Sequence, residues 1–466
     1  MYEITDYTGI EVIRHTPVPP EAIMQEYLPT MFNNDKQHSI NENTFARAFT
    51  RINSLKYKNG LFYTRSGKAN EELLSRDIWE SISDMGITTN VGNTTEKLLK
   101  AVKLCATVPE LKADENIVPF ANGDLNTKTW VFHEEQYSST PYRFPIPFVF
   151  DEIKVTRNFN KWLKDLFEED DRETIRQYLG YCLVPHTKSQ KALFLVGEGG
   201  VGKSVLGVIL KAILGDAMIS VSNSQEFIND KFKLPELENR LVLYDDDLDS
   251  AALSKTGLYK KLITNTMDIT ADRKYGQPFK FAPKVKIISC CNEMMTSMYD
   301  KTTGFFRRLL PIKTKPKSKD FRQDKRFYDK VSAEAEGIVQ WAVAGLKTLS
   351  ENDWELYESD RSKTYLQQKA DIDNHMPAYF ESEFIRDPFG NVTYKEITDS
   401  YERWCEEEGN TPYSQRTLQN WFSDNAETLS IEYSRCIQRD DKKQRGYKGM
   451  RLRRPLPGFE KGKVIL

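Results

Sequence analysis

The sequence predicts an α/β protein: a mainly parallel sheet flanked by helices, preceded by a mainly helical, mixed region and followed by a small winged-helix domain. Three observations support this class. Short apolar segments typical of buried strands recur, separated by enough residues for a helical crossover connection. A glycine-rich loop follows the first of these segments. A strongly basic segment follows two helical segments near the end. A length of 466 residues corresponds to roughly three domains.

The composition is that of an ordinary folded protein. Hydrophobic residues make up 39% and charged residues 29%, and 66 Lys+Arg nearly balance 68 Asp+Glu. No run approaches the ~18 apolar residues that span a bilayer. A secretory signal has a basic segment followed by an apolar stretch, whereas the first residues here include several acids. We therefore expect a cytoplasmic chain without membrane contact. Six cysteines without a C-x-x-C pair and five scattered histidines lack the spacing of a zinc site.

Changes in pattern along the chain predict four regions. The first is a mainly helical N-terminal region; the second contains a β-hairpin at Asn122-Gly123 and a helical collar; the third is the α/β core; the fourth is winged-helix-like. Within the collar, the acidic run Glu168–Glu173 is interpreted as a solvated helix face. The predicted bounds are 1–110, 111–186, 187–350 and 370–466.

The core is predicted from buried strands separated by helical or loop segments, a spacing typical of parallel sheets. After the last of these strands, the Lys- and Asp-rich segment Pro311–Lys325 predicts a loop, and Phe327–Leu349 predicts one amphipathic helix. The predicted strands are Ala192–Val196, Met218–Val221, Leu241–Tyr244 and Val285–Cys290.

The most specific motif is G-x-x-x-x-G-K-S, placed directly between the first core strand and the amphipathic segment Val205–Leu214. In such a loop the backbone N–H groups face inward, the helix N-terminus attracts anions, Lys203 supplies a cation and Ser204 can ligate magnesium. ATP and Mg²⁺ are therefore the expected ligands, and a glycine-rich turn with a coincidental lysine is the alternative. The expected contact residues are Gly197, Gly199, Gly200, Val201, Gly202, Lys203, Ser204 and Val205.

Acidic residues follow the third core strand, as a triphosphate-cleaving site requires. Asp245 is the candidate for the magnesium shell and Asp246 for orienting the attacking water, with Asp247 as a substitute for either. Acid triplets after strands also serve as loop caps, which is the alternative interpretation.

Two further polar positions follow the last predicted strand. Asn292 stands where its side chain could reach the γ-phosphate or the attacking water, although a loop asparagine is an equally simple interpretation. Arg307 and Arg308 lie on the apolar segment that comes next. An arginine that reaches the phosphate of a neighbouring subunit stabilises transition-state charge, whereas one of the pair could instead form a structural ion pair.

The short interval from Gly197 to Asn292, with this order of motifs, resembles the superfamily-3 helicases of the AAA+ class. The resemblance is closest to the phage, plasmid and poxvirus primase–helicase branch. It extends upstream to Val118–Leu125, and within the branch the layout is similar to replication-initiator helicases of staphylococcal pathogenicity islands and related mobile elements. About 115 residues before the matched region are too few for a full primase domain, so primase activity is not expected.

This resemblance implies roles for individual residues. It places phosphate binding on Lys203, magnesium ligation on Ser204, the acidic pair on Asp245 and Asp246, and the sensor on Asn292. It places a finger that acts on the adjacent subunit on Arg308. A DNA-engaging hairpin is implied over Ile269–Phe281, and a plain surface hairpin is the alternative; its expected contacts with a single strand are Arg273, Lys274 and Tyr275.

The C-terminal region predicts two helices, Tyr394–Glu408 and Gln415–Glu427, the second with Ser414 as its N-cap. A basic two-stranded wing follows, so we expect a winged-helix module with the second helix in the major groove; the alternative is a solvated basic tail. Candidate base or phosphate contacts on that helix are Arg416, Gln419 and Asn420, and candidate backbone contacts at the wing tip are Lys442, Lys443 and Arg445.

The resemblance implies an ATP-dependent replicative DNA helicase and initiator that translocates 3′ to 5′ on single-stranded DNA and recognises an origin. Its expected partners are single-stranded and origin double-stranded DNA, further copies of the chain in a hexameric ring, and host replication proteins. One alternative is a DNA-binding initiator that uses ATP only as an assembly switch. Another is a different P-loop DNA motor, such as a packaging ATPase.

Overall fold

The computed structural model describes the chain as two compact units, the first reaching residue 366 and the second beginning at residue 367. Each unit has its own hydrophobic core. Among the described helices, none combines the length and apolarity that crossing a bilayer requires. The described residues are 10–33, 39–58, 60–65, 67–109, 111, 114–138, 140–222, 227, 230, 232–248, 256–264, 268–272, 277–294, 303–317, 324–373, 375–410, 412–439 and 442–454.

The described strands are numbered β1 to β17 in chain order: Glu11–Arg14, Lys56–Lys58, Leu61–Thr64, Gly67–Ala69, Ile117–Phe120, Gly123–Asn126, Val131–Glu134, Ala192–Val196, Ile219–Val221, Val242–Asp245, Ile269–Ala271, Phe279–Phe281, Lys286–Cys291, Leu309–Lys313, Phe384–Thr393, Glu432–Arg439 and Lys442–Leu452. The described α-helices are Pro20–Tyr27, Glu42–Ile52, Glu71–Asp84, Val91–Ala106, Arg157–Leu166, Glu169–Tyr181, Val205–Leu214, Thr256–Thr264, Thr303–Phe306, Phe327–Ser332, Ala335–Glu351, Asp360–Asp373, Met376–Glu383, Tyr394–Glu408 and Gln415–Leu429.

The N-terminal region packs helices around a small antiparallel sheet of β2, β3 and β4. A second sheet, in the order β1-β7-β6-β5, contains the hairpin expected at Asn122-Gly123. Its first strand comes from the start of the chain: β1 pairs in parallel with β7, with Glu11 opposite Val131. The sequence did not predict this pairing, because a four-residue strand gives no signal of a partner more than a hundred residues away.

The central sheet is parallel throughout and has the order β14-β8-β13-β10-β9. The four predicted core strands are confirmed, with ends that move by a residue. The prediction of a loop from Pro311 onward is wrong at its start, because Leu309–Lys313 is β14. Proline cannot donate a ladder hydrogen bond, which argues against a strand in sequence, but β14 lies at the sheet edge where this donor is dispensable. The Pro311 carbonyl accepts a hydrogen bond from Ser362 Oγ at 2.6 Å.

Two predictions about the flanking helices are wrong. The expected helix over Phe327–Leu349 is interrupted before Ala335, because Glu334 turns its carboxylate to another helix. That carboxylate accepts hydrogen bonds at 2.9 Å from the backbone N–H groups of Asn158 and Phe159, at the start of the helix Arg157–Leu166.

The acidic run Glu168–Glu173 is not wholly solvated. Asp171 within it is 1% exposed and accepts a hydrogen bond from Ser359 Oγ at 2.6 Å, and its burial raises the pKa of this carboxyl. The helical pattern alone could not predict this, because the covering residue comes from a distant segment.

The second unit packs helices against a three-stranded antiparallel sheet in the order β15-β17-β16. The predicted N-cap is confirmed, since Ser414 Oγ accepts a hydrogen bond from the Thr417 backbone N–H at 3.2 Å. The predicted two-stranded hairpin corresponds to β16 and β17. Strand β15, which pairs with β17, was not predicted; its bulge between Arg386 and Asn391 interrupts the alternation that marks a strand.

Lys286, the first residue of β13, is buried at 1% exposure beneath the central sheet. Its Nζ donates to the carbonyls of Val184 and Lys284 and lies 5.1 Å from the ring centroid of Tyr181. Burial lowers the pKa of Lys286 from 10.5 to about 7. At a pH between the folded pKa of about 7 and the unfolded pKa of 10.5, Lys286 is protonated in the unfolded chain and neutral in the folded chain. Raising the pH through this range therefore stabilises the folded state.

We therefore expect Lys286→Met to remove a pH dependence from folding stability. From pH 7 to 9.5 the wild type should gain stability relative to the variant, by on the order of a few kcal/mol, because protonating a buried amine is costly. Urea denaturation at several pH values measures this difference. Lys280→Met, at an exposed lysine of β12, is the control and should keep the slope of the wild type. Parallel slopes for wild type and Lys286→Met would contradict the prediction.

Candidate nucleotide site

The glycine-rich loop lies at the carboxyl end of β8, the edge at which parallel sheets of this kind bind ligands. Lys203 lies across the loop with 9% exposure. Its Nζ donates to the carbonyl oxygens of Gly197 at 2.5 Å and Glu198 at 2.9 Å, and to Asn292 Oδ1 at 3.5 Å. Asn292 directly follows β13, the neighbour of β8, so the fold brings these two predicted site residues together.

Two glycines of the loop are required by their surroundings. Gly202 has a φ of +105°, a conformation that side chains rarely adopt. At Gly197 a Cβ would lie 1.9 Å from Thr314 Oγ1, so no side chain fits. The remaining predicted loop positions, Gly199, Gly200 and Val201, are exposed or half-exposed; Ser204 is the N-cap residue of the following helix, and Val205 is its buried first residue.

The acidic candidates stand at the same sheet edge. Asp245 ends β10, which neighbours β13, and the sheet register sets it opposite Ser289. It is 3% exposed, whereas Asp246 and Asp247 are exposed. Tyr244 Oη donates to Asp246 Oδ1 at 2.8 Å and so orients this carboxylate. Burial raises the pKa of Tyr244, which keeps its hydroxyl protonated as a donor.

The two arginines lie at the amino-terminal end of the parallel strands, opposite the end that carries the glycine-rich loop. Arg308 is half-buried and precedes β14, and its carbonyl accepts a hydrogen bond at 2.8 Å from the N–H of Ala192, the first residue of β8. Since β8 carries the loop at its far end, Arg308 is about 16 Å, one five-residue strand, from the loop of its own chain. Arg307 is exposed. The fold therefore does not bring either arginine to the glycine-rich loop of the same chain.

The predicted hairpin is described only in its arms, β11 and β12, which pair antiparallel with Ala271 opposite Phe279. Arg273, Lys274 and Tyr275 lie outside the described residues, so their expected contacts stay predictions.

In the second unit, the helix Gln415–Leu429 buries Leu418 and Phe422 in its core. Its predicted contact residues Arg416, Gln419 and Asn420 are exposed on the same element. Lys442, Lys443 and Arg445 are exposed at the start of β17, where the register sets Lys443 opposite Gln438 and no acid. Both sets are therefore accessible.

Sequence analysis missed a residue that supports the loop. Trp162, on the helix Arg157–Leu166, donates from its indole Nε1 to the Gly202 carbonyl at 2.9 Å and is 4% exposed. Nothing around Trp162 in the sequence signals this contact, since an apolar helix position normally indicates core. Tyr244 was likewise assigned only to a buried strand.

Comparisons with known proteins agree with this architecture. Residues 195–308, from within β8 to Arg308, match a family model described as "Family of unknown function (DUF5906)". Over 211 residues the chain is 27% identical to the "Putative helicase L207/L206" of Acanthamoeba polyphaga mimivirus. That match covers 43% of this chain and 22% of the viral protein, so the chain spans about a fifth of that relative. The chain thus has weak helicase homology.

Solved structures of the NrS-1 C-terminal region are similar over most of the chain. The A-form apo structure superposes with a TM-score of 0.52 at 13% identity, and it matches 88% of this chain and 99% of its own length. A second A-form structure, of residues 305–718, gives a TM-score of 0.51 at 14% identity with the same coverage. At such identity the likeness is one of fold.

Proposed function

We propose that this chain is the ATP-hydrolysing and DNA-handling part of a ring-forming, superfamily-3 replicative helicase with an AAA+ P-loop core. The observation that carries the proposal is Lys203, whose Nζ spans the glycine-rich loop and reaches Asn292 on the adjacent strand end. A cation at this point of a strand–loop–helix unit binds the terminal phosphates of a nucleotide. The helicase named among the relatives supports the same class.

The residues at this edge fit ATP with Mg²⁺. The loop N–H groups and Lys203 would bind the phosphates, while Ser204 and Asp245 would hold the metal, which neutralises charge on the phosphates when bound. Asp246 would orient the attacking water, and its hydrogen bond from Tyr244 Oη at 2.8 Å favours a fixed orientation.

The position of Arg308 supports action between subunits. Its backbone is about one strand length from the loop of its own chain, a separation that favours a contact with the site of another copy. A ring, hexameric in the resembling family, supplies such a neighbour at every site. In that ring the hairpins between β11 and β12 would face the DNA strand, with Lys274 and Tyr275 as contacts, and 3′-to-5′ movement follows the family.

The second unit is proposed to bind origin DNA as a winged helix. The order of its elements and of its strands suits this fold. The exposed wing residues and Arg416 on the helix carry positive charges, which attract DNA phosphates. We expect the triple variant Lys442→Ala, Lys443→Ala, Arg445→Ala to weaken duplex binding at least about tenfold, with a smaller salt dependence. Fluorescence anisotropy with a labelled duplex measures this.

The control for the wing variant is Lys395→Ala, an exposed lysine of the same unit on the helix Tyr394–Glu408. It should bind duplex DNA like the wild type. If the wing variant binds with unchanged affinity and salt slope, the basic strand is a solvated surface and the winged-helix assignment of DNA contacts fails.

The experiment that tests the whole proposal is unwinding of a forked duplex with ATP, compared with a non-hydrolysable analogue. Strand separation that needs hydrolysis supports a helicase. Turnover without unwinding supports an initiator that uses ATP as an assembly switch, which the exposed polar helix residues and the basic wing would also suit. Stimulation of turnover by duplex rather than single-stranded DNA supports a packaging-type motor.

A further inference from the structure

The segment that follows β14 runs beside the glycine-rich loop. Directly after this strand, the Thr314 N–H donates to the Val196 carbonyl at 2.8 Å, and the Lys315 N–H donates to the Leu166 carbonyl at 2.8 Å. Val196 is the last residue before the loop. These two hydrogen bonds therefore hold the segment Lys313–Lys317 at the carboxyl edge of the sheet, where the proposed nucleotide would lie.

Two side chains of this segment approach the loop. Thr314 is 7% exposed, its buried Oγ1 has no hydrogen-bond partner among the residues that the structure describes, and it occupies the space beside Gly197 where a Cβ would be. Further along, Lys317 Nζ lies 3.9 Å from the position that a Cβ would take at Gly200. The ammonium group of Lys317 thus lies near the middle of the loop, and the buried hydroxyl of Thr314 lies near its start.

The other lysines of the segment point elsewhere. Lys313 Nζ lies 5.1 Å from the ring centroid of Tyr365. Lys315 Nζ lies 3.4 Å from a carboxylate oxygen of Glu168 and donates to the Lys164 carbonyl at 3.2 Å. The three lysines therefore have different surroundings, which a general excess of positive charge in the segment does not explain. The approach of Lys317 to the loop is specific to its position in the segment.

We propose that Lys317 is a second phosphate-binding cation of the nucleotide site, which contacts the phosphate chain of ATP from the segment after β14. This inference rests on the proposed nucleotide site. Lys203 would reach the phosphates from the end of the glycine-rich loop, and Lys317 would reach them from the segment after β14. A triphosphate carries several negative charges, so two ammonium groups stabilise it more than one does.

The test is the affinity of the full chain for a fluorescent, ribose-labelled ATP with Mg²⁺, measured by anisotropy. Lys317→Met should raise the Kd about tenfold, because a charge-assisted contact to phosphate is lost. Lys317→Arg keeps the charge and should stay within about threefold of the wild type. The matched control is Lys315→Met, two residues away, whose exposed ion pair with Glu168 contributes little; it should stay within about twofold.

The possible outcomes separate this inference from the proposed function. Wild type that binds the labelled ATP, together with Lys317→Met that binds it equally well, overturns the role of Lys317 alone. Equal weakening by Lys317→Met and Lys315→Met also overturns it, because net charge then explains the loss. Wild type without affinity for the nucleotide overturns the nucleotide site and, with it, this inference. Thermal unfolding of each variant shows whether the fold is retained.

Discussion

Replacement of Lys203 by alanine is expected to abolish ATP hydrolysis, with turnover reduced at least about a hundredfold. Its Nζ lies within 2.9 Å of two loop carbonyls and 3.5 Å from Asn292, so it stands at the centre of the proposed phosphate site. Alanine leaves the loop without this cation while the glycines keep their conformation. Phosphate release, with and without single-stranded DNA, measures the loss, and unwinding of a forked duplex should fall with it.

The matched control for this substitution is Lys211→Ala. Lys211 belongs to the helix that follows the loop, Val205–Leu214, but lies in its last turn and pairs with Asp216 at 3.3 Å on the surface. Lys211→Ala removes the same charge from a residue eight positions further along the chain and should leave turnover close to that of the wild type. Normal turnover in Lys203→Ala would show that hydrolysis, if any, takes place at another site.

Replacement of Arg308 by alanine is expected to reduce turnover at least about a hundredfold while nucleotide affinity stays near that of the wild type. The reason is position: the backbone of this arginine is about one strand length from the loop of its own chain, so we propose that it acts on a neighbour's nucleotide. Labelled-ATP binding and phosphate release, measured on the same preparation, separate the two effects. Arg307→Ala, at the exposed adjacent residue, is the companion variant and should retain turnover.

Mixing the two inactive variants gives a sharper test of action between subunits. Lys203→Ala chains still carry Arg308, and Arg308→Ala chains still carry Lys203. In a mixed ring, some sites combine both residues, so part of the turnover should return. No recovery, in mixtures that sizing shows to be assembled together, would contradict the arrangement in which Arg308 completes an adjacent site.

The candidate site could be predicted from sequence where its residues are local. The loop is a contiguous motif between a strand and a helix, and both elements, Ala192–Val196 and Val205–Leu214, have the predicted bounds. Asp245 and Asn292 follow apolar strands, and parallel strands bring their carboxyl ends to one edge. The apolar strands and the crossover spacing between them were therefore enough to predict that these residues lie at one end of the sheet.

Contacts between distant segments could not be predicted in this way. Strand β14 contains Pro311, which normally argues against a strand, and only its place at the sheet edge allows it. Without β14, the segment that carries Lys317 had no position relative to the loop. Asp171 was misjudged because its partner Ser359 is far along the chain. In both cases the information lies in packing, which a single sequence does not display.

The hydrogen bond from Trp162 to the Gly202 carbonyl bears on how the chain can be shortened. The motifs of the core alone suggest a cut close to residue 187, yet the indole that anchors the glycine-rich loop belongs to a helix beginning at Arg157. A fragment starting at residue 187 would lose the hydrogen bond from Trp162 and its aromatic packing against Phe159 and Phe167. The smallest fragment that keeps the glycine-rich loop anchored therefore has to include this upstream helix.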